Sequence, residues 1–164
     1  MTPETFIEQN LMRRTKKITR NWLKIPILFV TCSFVTDYSI AETRLYGGTG
    51  QNPMFLGCFG ELCDSNHPSS ICNVKGRYGS QGSDLSIWNA DSFYGNEYRK
   101  TSLWNKGSAG LVMTDGSRMF LGRLTVKQSS PTNNISEILG NFYSESNKDL
   151  LQTQLKFCNS VMSQ

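Results

Sequence analysis

Residues 70–105 read SICNVKGRYGSQGSDLSIWNADSFYGNEYRKTSLWN, and one pattern returns in this stretch every 16 residues. The tetrad Ser-[Ile/Leu]-[Cys/Trp]-Asn begins three times, at Ser70, Ser86 and Ser102. A Tyr-Gly pair also returns at a constant offset, at Tyr78-Gly79 and Tyr94-Gly95. Self-similarity at a fixed period indicates a repeated structural unit. We therefore predict tandem 16-residue repeats over 70–105.

The repeated units are rich in Gly, Ser, Asn and aromatic residues and poor in Leu and Val. Asn and Gly readily adopt positive φ, and Ser and Asn side chains bond to nearby backbone groups. Each unit is therefore predicted to consist of turns around a very short extended piece. The aromatic residues have two interpretations, a buried core or an exposed platform that binds a ligand. They are Trp88, Trp104, Tyr78 and Tyr94.

The first 41 residues have the three-part layout of a secretory signal peptide. Basic residues precede an apolar run from Ile25 to Val35, and the small residues Ser39 and Ala41 follow at the positions that signal peptidase reads. An apolar run of 11 residues is too short for a helix that crosses ~30 Å of hydrocarbon. We predict cleavage after Ala41, with Met12 as an alternative start. The other interpretations are an uncleaved anchor, a buried helix, a twin-arginine leader, or a lipidated Cys32.

Removal of the leader changes the charge balance. The chain has 17 Lys and Arg against 13 Asp and Glu, and residues 1–41 contain 6 of the basic and 3 of the acidic residues. The rest of the chain has 11 basic and 10 acidic residues, a net charge of +1. A nucleic-acid-binding protein needs a concentrated cationic surface. We therefore expect no nucleic-acid partner, and no stable membrane span after cleavage.

Four cysteines follow the leader, an even number in a chain that is predicted to be exported. They are Cys58, Cys63, Cys72 and Cys158. Small exported domains commonly use disulfides in place of a large core, so two disulfides are the expected state. Pairing Cys58 with Cys63 and Cys72 with Cys158 is one of three possibilities, and the two crossed pairings stay open.

The same region contains a possible zinc motif, C-x4-C-x3-H-x4-C, formed by Cys58, Cys63, His67 and Cys72. It is similar to a zinc knuckle, C-x2-C-x4-H-x4-C, but the first two spacings differ. The short Cys-x2-Cys spacing lets one turn present two sulfurs to a tetrahedral ion, and this chain lacks it. We therefore expect no metal and no cofactor, and we interpret His67 as a solvated loop residue.

The segments before and after the repeats show local structural signals. Residues 42–53 contain three glycines and are predicted to be a flexible approach to a single domain over 54–164. Met54–Gly60 is predicted to be a strand, and residues 110–127 a β-hairpin around Asp115-Gly116. The triplet Phe-Leu-Gly occurs in both segments, which suggests two neighbouring strands with Gly at a bend or close approach.

Residues 134–162 are predicted to be helical, in two stretches. The first runs from Ile135 to Phe142 and has Asn133 or Asn134 as its cap, and the second runs from Asn147 to Met162. Ser146-x-x-Asp149 resembles a capping box for the second helix. An apolar stripe at helical spacing is expected to dock on the sheet. It consists of Leu150, Leu151, Leu155, Cys158, Val161 and Met162. The predicted fold is a small α+β, β-rich and turn-rich domain.

Between Phe55 and Val126 the chain resembles an uncharacterised group of small, largely bacterial proteins. The shared motifs are an aromatic-Leu-Gly entry, tandem S-I-x-N…YGS…S units and a final aromatic-x-G-x-L-T hairpin strand. Here they are Phe55-Leu56-Gly57, Ser70-Ile71-Cys72-Asn73, Tyr78-Gly79-Ser80, Ser86-Ile87-Trp88-Asn89 and Phe120-Leu121-Gly122-Arg123-Leu124-Thr125. The second Tyr-Gly departs from the pattern, because Asn96 follows it. The resemblance implies an organisation and no activity.

The residues offer little for catalysis, which needs a base positioned beside a nucleophile or an acid. His67 is the single histidine, and Asp84, Asp91 and Glu97 form no recognisable pair. We predict that the protein is not an enzyme, and that it is an exported periplasmic or secreted module that binds a glycan, an envelope component or a protein. The alternatives are a purely structural envelope protein and a thiol-dependent enzyme that uses His67 and unpaired cysteines. The burial of Trp88 and Trp104 would favour the structural role.

Overall fold

The computed structural model describes residues 41–48, 52–127 and 133–162. The predicted leader, including Cys32, lies outside the described residues apart from Ala41, so its cleavage stays a prediction. Over the described ranges, no helix is long and apolar enough to cross a membrane.

The fold is α+β, as predicted, and it is built on a four-stranded antiparallel sheet followed by two helices. The strands are β1 (Thr43–Gly47), β2 (Met54–Phe59), β3 (Leu111–Thr114) and β4 (Phe120–Leu124). The strand order is β2-β1-β3-β4, so β1 is a central strand. The helices are α1 (Asn134–Glu145) and α2 (Leu150–Met162).

The prediction of a flexible approach over 42–53 is wrong for residues 43–47, because β1 pairs with β2 on one side and with β3 on the other. The strand alternates between buried and half-buried residues, with Leu45 fully buried. This alternation is the signal of a half-buried strand. The glycines that follow Tyr46 obscured it in the sequence.

The hairpin prediction is confirmed, because β3 and β4 pair as antiparallel neighbours. The connection is longer than a two-residue turn, since Asp115 Oδ1 accepts from the Met119 backbone N–H at 2.7 Å and from the Ser117 hydroxyl. The two Phe-Leu-Gly triplets are not neighbours, because β2 and β4 lie at opposite edges of the sheet. Their glycines do adopt positive φ, 104° at Gly57 and 137° at Gly122.

Residues 64–108 form a chain of consecutive turns, which we call the turn coil. Backbone N–H groups donate to the carbonyl three residues earlier along its length, as in Asn73 to Ser70 and Gly76 to Asn73. No strand forms over 70–105. The coil meets the sheet at Gly57, where an added Cβ would lie 2.8 Å from the Ile71 side chain. The close approach and the positive φ explain why this strand position holds a glycine.

Corresponding residues of the coil make corresponding hydrogen bonds. The buried hydroxyls of Ser70, Ser86 and Ser102 each accept the backbone N–H two residues ahead, at 3.1–3.2 Å. Trp88 Nε1 donates to the Ile71 carbonyl at 2.7 Å, and Trp104 Nε1 donates to the Ile87 carbonyl at 2.6 Å. In both bonds, the indole reaches back 17 residues. These bonds tie successive turns of the coil together, and the tandem repeat itself stays a prediction.

Helix α1 begins where the sequence indicates, because Asn133 is its N-cap and accepts from the Ser136 N–H at 2.8 Å. The capping box proposed for α2 is wrong. Ser146 ends α1, and Asp149 alone caps α2, through its bond to the Gln152 N–H. A turn between the two helices separates the two residues that the motif joined.

The predicted apolar stripe of α2 is only partly correct. Leu151 and Leu155 are exposed, and the buried face consists of Thr153, Gln154, Phe157, Cys158 and Val161. That face docks mainly on the turn coil and not on the sheet alone. Gln154 Nε2 donates to the carbonyls of Ile71 and Gly79, while the Phe157 ring contacts both Trp88 and Phe59.

Candidate binding groove on the open face of the sheet

The sheet buries one face and leaves a groove on the other. Leu45, Met113 and Leu124 point into the core, whereas their neighbours Arg44 and Tyr46 point outward. The groove has a volume of about 440 Å³. Its lining comprises Glu42, Arg44, Tyr46, Phe55, Cys58, Leu62, His67 and Ser69.

Aromatic rings form a row along this open face. Tyr46 on β1 is paired in register with Phe55 on β2, and their ring centroids are 5.5 Å apart. Tyr78 of the turn coil extends the row, 5.2 Å from Phe55 and nearly edge-on to it. All three side chains are half-buried, so each presents part of a ring to solvent. Partly exposed, rigid rings supply contact area at a low cost in conformational entropy.

Charged groups flank the rings. Arg44 donates to both carboxylate oxygens of Glu42, at 2.8 and 3.2 Å. These hydrogen bonds, together with the charge of Glu42, raise the pKa of Arg44 above its usual value. His67 Nδ1 accepts from the Ser69 backbone N–H at 3.1 Å. In the neutral imidazole that bond places the proton on Nε2, which is then a donor. The groove therefore combines a cation, a carboxylate and an imidazole beside apolar rings.

The four cysteines after the leader form two disulfides, Cys58–Cys63 and Cys72–Cys158. His67 Nδ1 lies 3.6 Å from the Cys63 sulfur and 3.9 Å from the Cys58 sulfur, so three residues of the zinc motif do come together. The two sulfurs are bonded to each other, however, and the fourth candidate ligand, Cys72, is bonded to Cys158. A zinc site needs thiolates, and the paired cysteines cannot supply them.

The structure changes the assignment of the predicted ligand-binding aromatics. Trp88 and Trp104 are 1% and 2% exposed, and their rings contact each other at a tilt of 47°, with centroids 5.5 Å apart. Their N–H groups donate to backbone carbonyls, and their burial leaves neither indole face exposed to a ligand. Tyr94 is also buried, whereas Tyr78 reaches the aromatic row. Of the four, only Tyr78 adjoins the groove.

Sequence reasoning missed most residues of the groove. Arg44 and Tyr46 lay in the segment interpreted as flexible, and Phe55 was placed in a predicted strand and in a motif without a binding role. The alternation from Thr43 to Gly47 was the available signal, since it places Arg44 and Tyr46 on the face opposite Leu45. No family model, curated protein or solved structure matches this chain.

Proposed function

We propose that the protein is an exported, non-catalytic binding module, and that the groove binds a glycan or a protein of the envelope or exterior. The observation that carries this proposal is the row of half-buried rings beside Arg44 and His67 on an otherwise open sheet face. Solvent-facing aromatic rings on one face of a sheet favour a binding role over a purely structural one.

Export is supported by the signal-peptide layout and by the two disulfides. Disulfides persist in oxidising compartments and are rare where thiols are kept reduced. A chain of this composition gains from them, because its turn coil is poor in aliphatic residues. We expect the protein to work in the periplasm or outside the cell.

Within the described ranges, the groove does not offer an unpaired cysteine or a free carboxylate base, and this supports a non-catalytic role. A thiol-dependent enzyme needs an unpaired cysteine near His67, and Cys58 and Cys63 are bonded to each other. The Glu42 carboxylate is held by Arg44 and is not free to act as a base near a nucleophile. Binding requires only the arrangement that is present: rings, hydrogen-bond donors and a fixed charge pair.

The chemistry of the groove suits a sugar chain as the first candidate. A ring face stacks on the apolar face of a sugar, while Arg44, Glu42 and the His67 Nε2 atom can bond to hydroxyl groups. The two principal rings are tilted by 58° to each other. A bound chain would therefore contact them at two successive positions and not as one flat platform.

The test is a titration of the oxidised protein with soluble cell-wall oligosaccharides, followed by NMR. We expect saturable shifts near Tyr46 and Phe55, and at least a tenfold loss of affinity in Tyr46→Ala and in Phe55→Ala. A tenfold loss is about 1.4 kcal/mol, within reach of one stacking contact. Tyr98→Ala is the control, because Tyr98 is 84% exposed and lies outside the groove.

Equal affinity in Tyr46→Ala and in the wild type would contradict the assignment of the groove. If the oligosaccharides do not bind, a library of displayed peptides tests the protein ligand with the same three variants. Failure of both probes would leave the structural alternative, that of a small envelope protein without a ligand. That alternative is favoured by one specific observation, the burial of Trp88 and Trp104.

A further inference from the structure

A second cavity, which shares no residue with the groove, lies between the end of α1 and the segments around Lys106 and Lys127. Its volume is about 450 Å³. Three lysines line it, Lys106, Lys127 and Lys148, and no carboxylate is among the residues that line it. The cavity therefore concentrates positive charge on a protein whose described part is close to neutral overall.

The positive charge is only partly compensated. Lys148 Nζ lies 3.3 Å from Glu97 Oε2, which also accepts a bond from the Tyr143 hydroxyl. Lys106 and Lys127 make no ion pair with any residue in the described ranges. All three lysines are exposed, and an anion in the cavity would be attracted to each of them.

The end of α1 does not cancel this preference. Helix C-termini carry partial negative charge on unbonded carbonyls, which disfavours anions. Here three of the last four carbonyls are bonded: the N–H groups of Ser146, Asn147 and Lys148 donate to Phe142, Ser144 and Tyr143, at 2.9–3.1 Å.

The glycine at position 140 also bears on what this cavity can hold. It sits inside α1, where glycine is less favourable than alanine because of its backbone freedom. No packing requires it, since a Cβ built there meets no atom within 4 Å. It lines this cavity and an adjoining one of about 250 Å³. The wall of this cavity is therefore open at Gly140 and leaves room for a ligand group beside the helix.

We propose that this cavity binds a phosphate ester, held by Lys106, Lys127 and Lys148 with its ester group extending over Gly140. Lysine ammonium groups act as compact point charges that suit phosphate, whereas planar two-point recognition of carboxylates favours arginine. The ester could belong to a soluble molecule or to a lipid headgroup, because both present the same phosphate chemistry.

The experiment titrates the oxidised protein with a sugar phosphate, using sodium chloride at matched ionic strength as the reference. Saturable amide shifts are expected around Gly140 and Asn147 with the sugar phosphate only. Lys106→Gln combined with Lys127→Gln should weaken binding at least tenfold. The control is Lys75→Gln combined with Lys100→Gln, two exposed lysines outside the cavity, which should leave affinity within twofold.

The Gly140→Ala variant tests whether Gly140 serves ligand binding or the stability of α1. The substitution should raise the melting temperature, because alanine favours the helix, and weaken sugar-phosphate binding at least threefold. Vesicles with and without phosphatidic acid distinguish the sources: co-sedimentation that the Lys106/Lys127 variant loses identifies a lipid headgroup, and its absence identifies a soluble ester. Shifts no larger than those with sodium chloride, or equal losses in the two double variants, would overturn the proposal.

Discussion

The sheet and the turn coil satisfy their backbone hydrogen-bonding groups in different ways. In the sheet, backbone N–H and C=O groups are satisfied by neighbouring strands, so side chains are free to be apolar on one face and to vary on the other. In the coil, the backbone groups are satisfied by local turns and by Ser, Asn and Trp side chains. Buried backbone groups must find partners in either case.

This difference explains where the candidate sites lie. Polar and aromatic residues of the coil look available for a ligand in the sequence, but most of them are committed to backbone bonds. Asn89, for example, accepts from the Asp91 N–H and donates to the Ser83 carbonyl. The sheet needs no side chains to satisfy its ladder, so its outer face can carry Tyr46 and Phe55. A composition typical of binding surfaces therefore reflects architecture in the turn coil, whereas the groove proposed to bind a ligand lies on the sheet.

The largest expected effect comes from the disulfide that joins the coil to α2. Replacing Cys72 and Cys158 by Ser should destabilise the protein by about 4–5 kcal/mol, because the sequence separation is 86 residues and long loops gain most in the chain-entropy model. Replacing Cys58 and Cys63, separated by 5 residues, should cost about 2 kcal/mol. Urea denaturation measures both.

A reductant should therefore unfold the protein, and a chelator should leave its melting temperature unchanged. Melting by a chelator alone would mean that a metal, and not a disulfide, holds the region of His67.

The second prediction compares a fully buried residue of the sheet with a fully buried residue of the coil. Leu45 in the sheet and Ile87 in the coil are both fully buried. Truncation of either residue to Ala should cost about 3 kcal/mol in the free energy of unfolding, since both lose apolar burial and leave a cavity. A much smaller loss at Ile87 would mean that the coil is not part of the cooperative core. Val112→Ala, at a half-buried position on the open face, is the control and should cost less.

The third prediction isolates the polar bonds of the coil. Trp104→Phe leaves the Ile87 carbonyl without its indole donor, whereas in Trp88→Phe the Ile71 carbonyl keeps its bond from Gln154 Nε2 at 3.0 Å. Both changes remove the same atoms from buried positions. Trp104→Phe should therefore be less stable than Trp88→Phe by about 1 kcal/mol, the cost of an unsatisfied buried carbonyl. Equal midpoints in urea would show that these bonds contribute little.

The smallest effect concerns Tyr143, where α1 meets the coil. Burial, followed by the nearby charge of Glu97, raises the pKa of Tyr143 to about 12, compared with 10.0 for the free side chain. The unfolded chain loses this proton first, so the stabilisation is fully present below pH 10.0 and is lost as pH rises to about 12. The melting temperature should fall more steeply over this range in the wild type than in Tyr143→Phe. Identical slopes would place Tyr143 in a solvated environment.

Local signals in the sequence predicted local structure well. Asp115 begins the hairpin connection, and Asn133 caps α1, because both act through bonds to backbone groups within four residues. The capping-box prediction was wrong because the motif spans the break between two helices. Ser146 and Asp149 match the motif by their spacing. However, Ser146 is the C-cap of α1, and Asp149 caps α2. The residues near this position do not show in the sequence that one helix ends there and another begins.

The sequence by itself determined the elements whose information is local: a turn-rich middle, a hairpin, a capped helix and enough cysteines for two disulfides. Only the tertiary structure decided that β1 is a central strand, that the two indoles are buried, and that Tyr46, Phe55 and Tyr78 share one face. Each of these outcomes depends on pairing between segments distant in the chain. Such pairing is selected by the summed burial and hydrogen bonding of the whole fold, which no short pattern encodes.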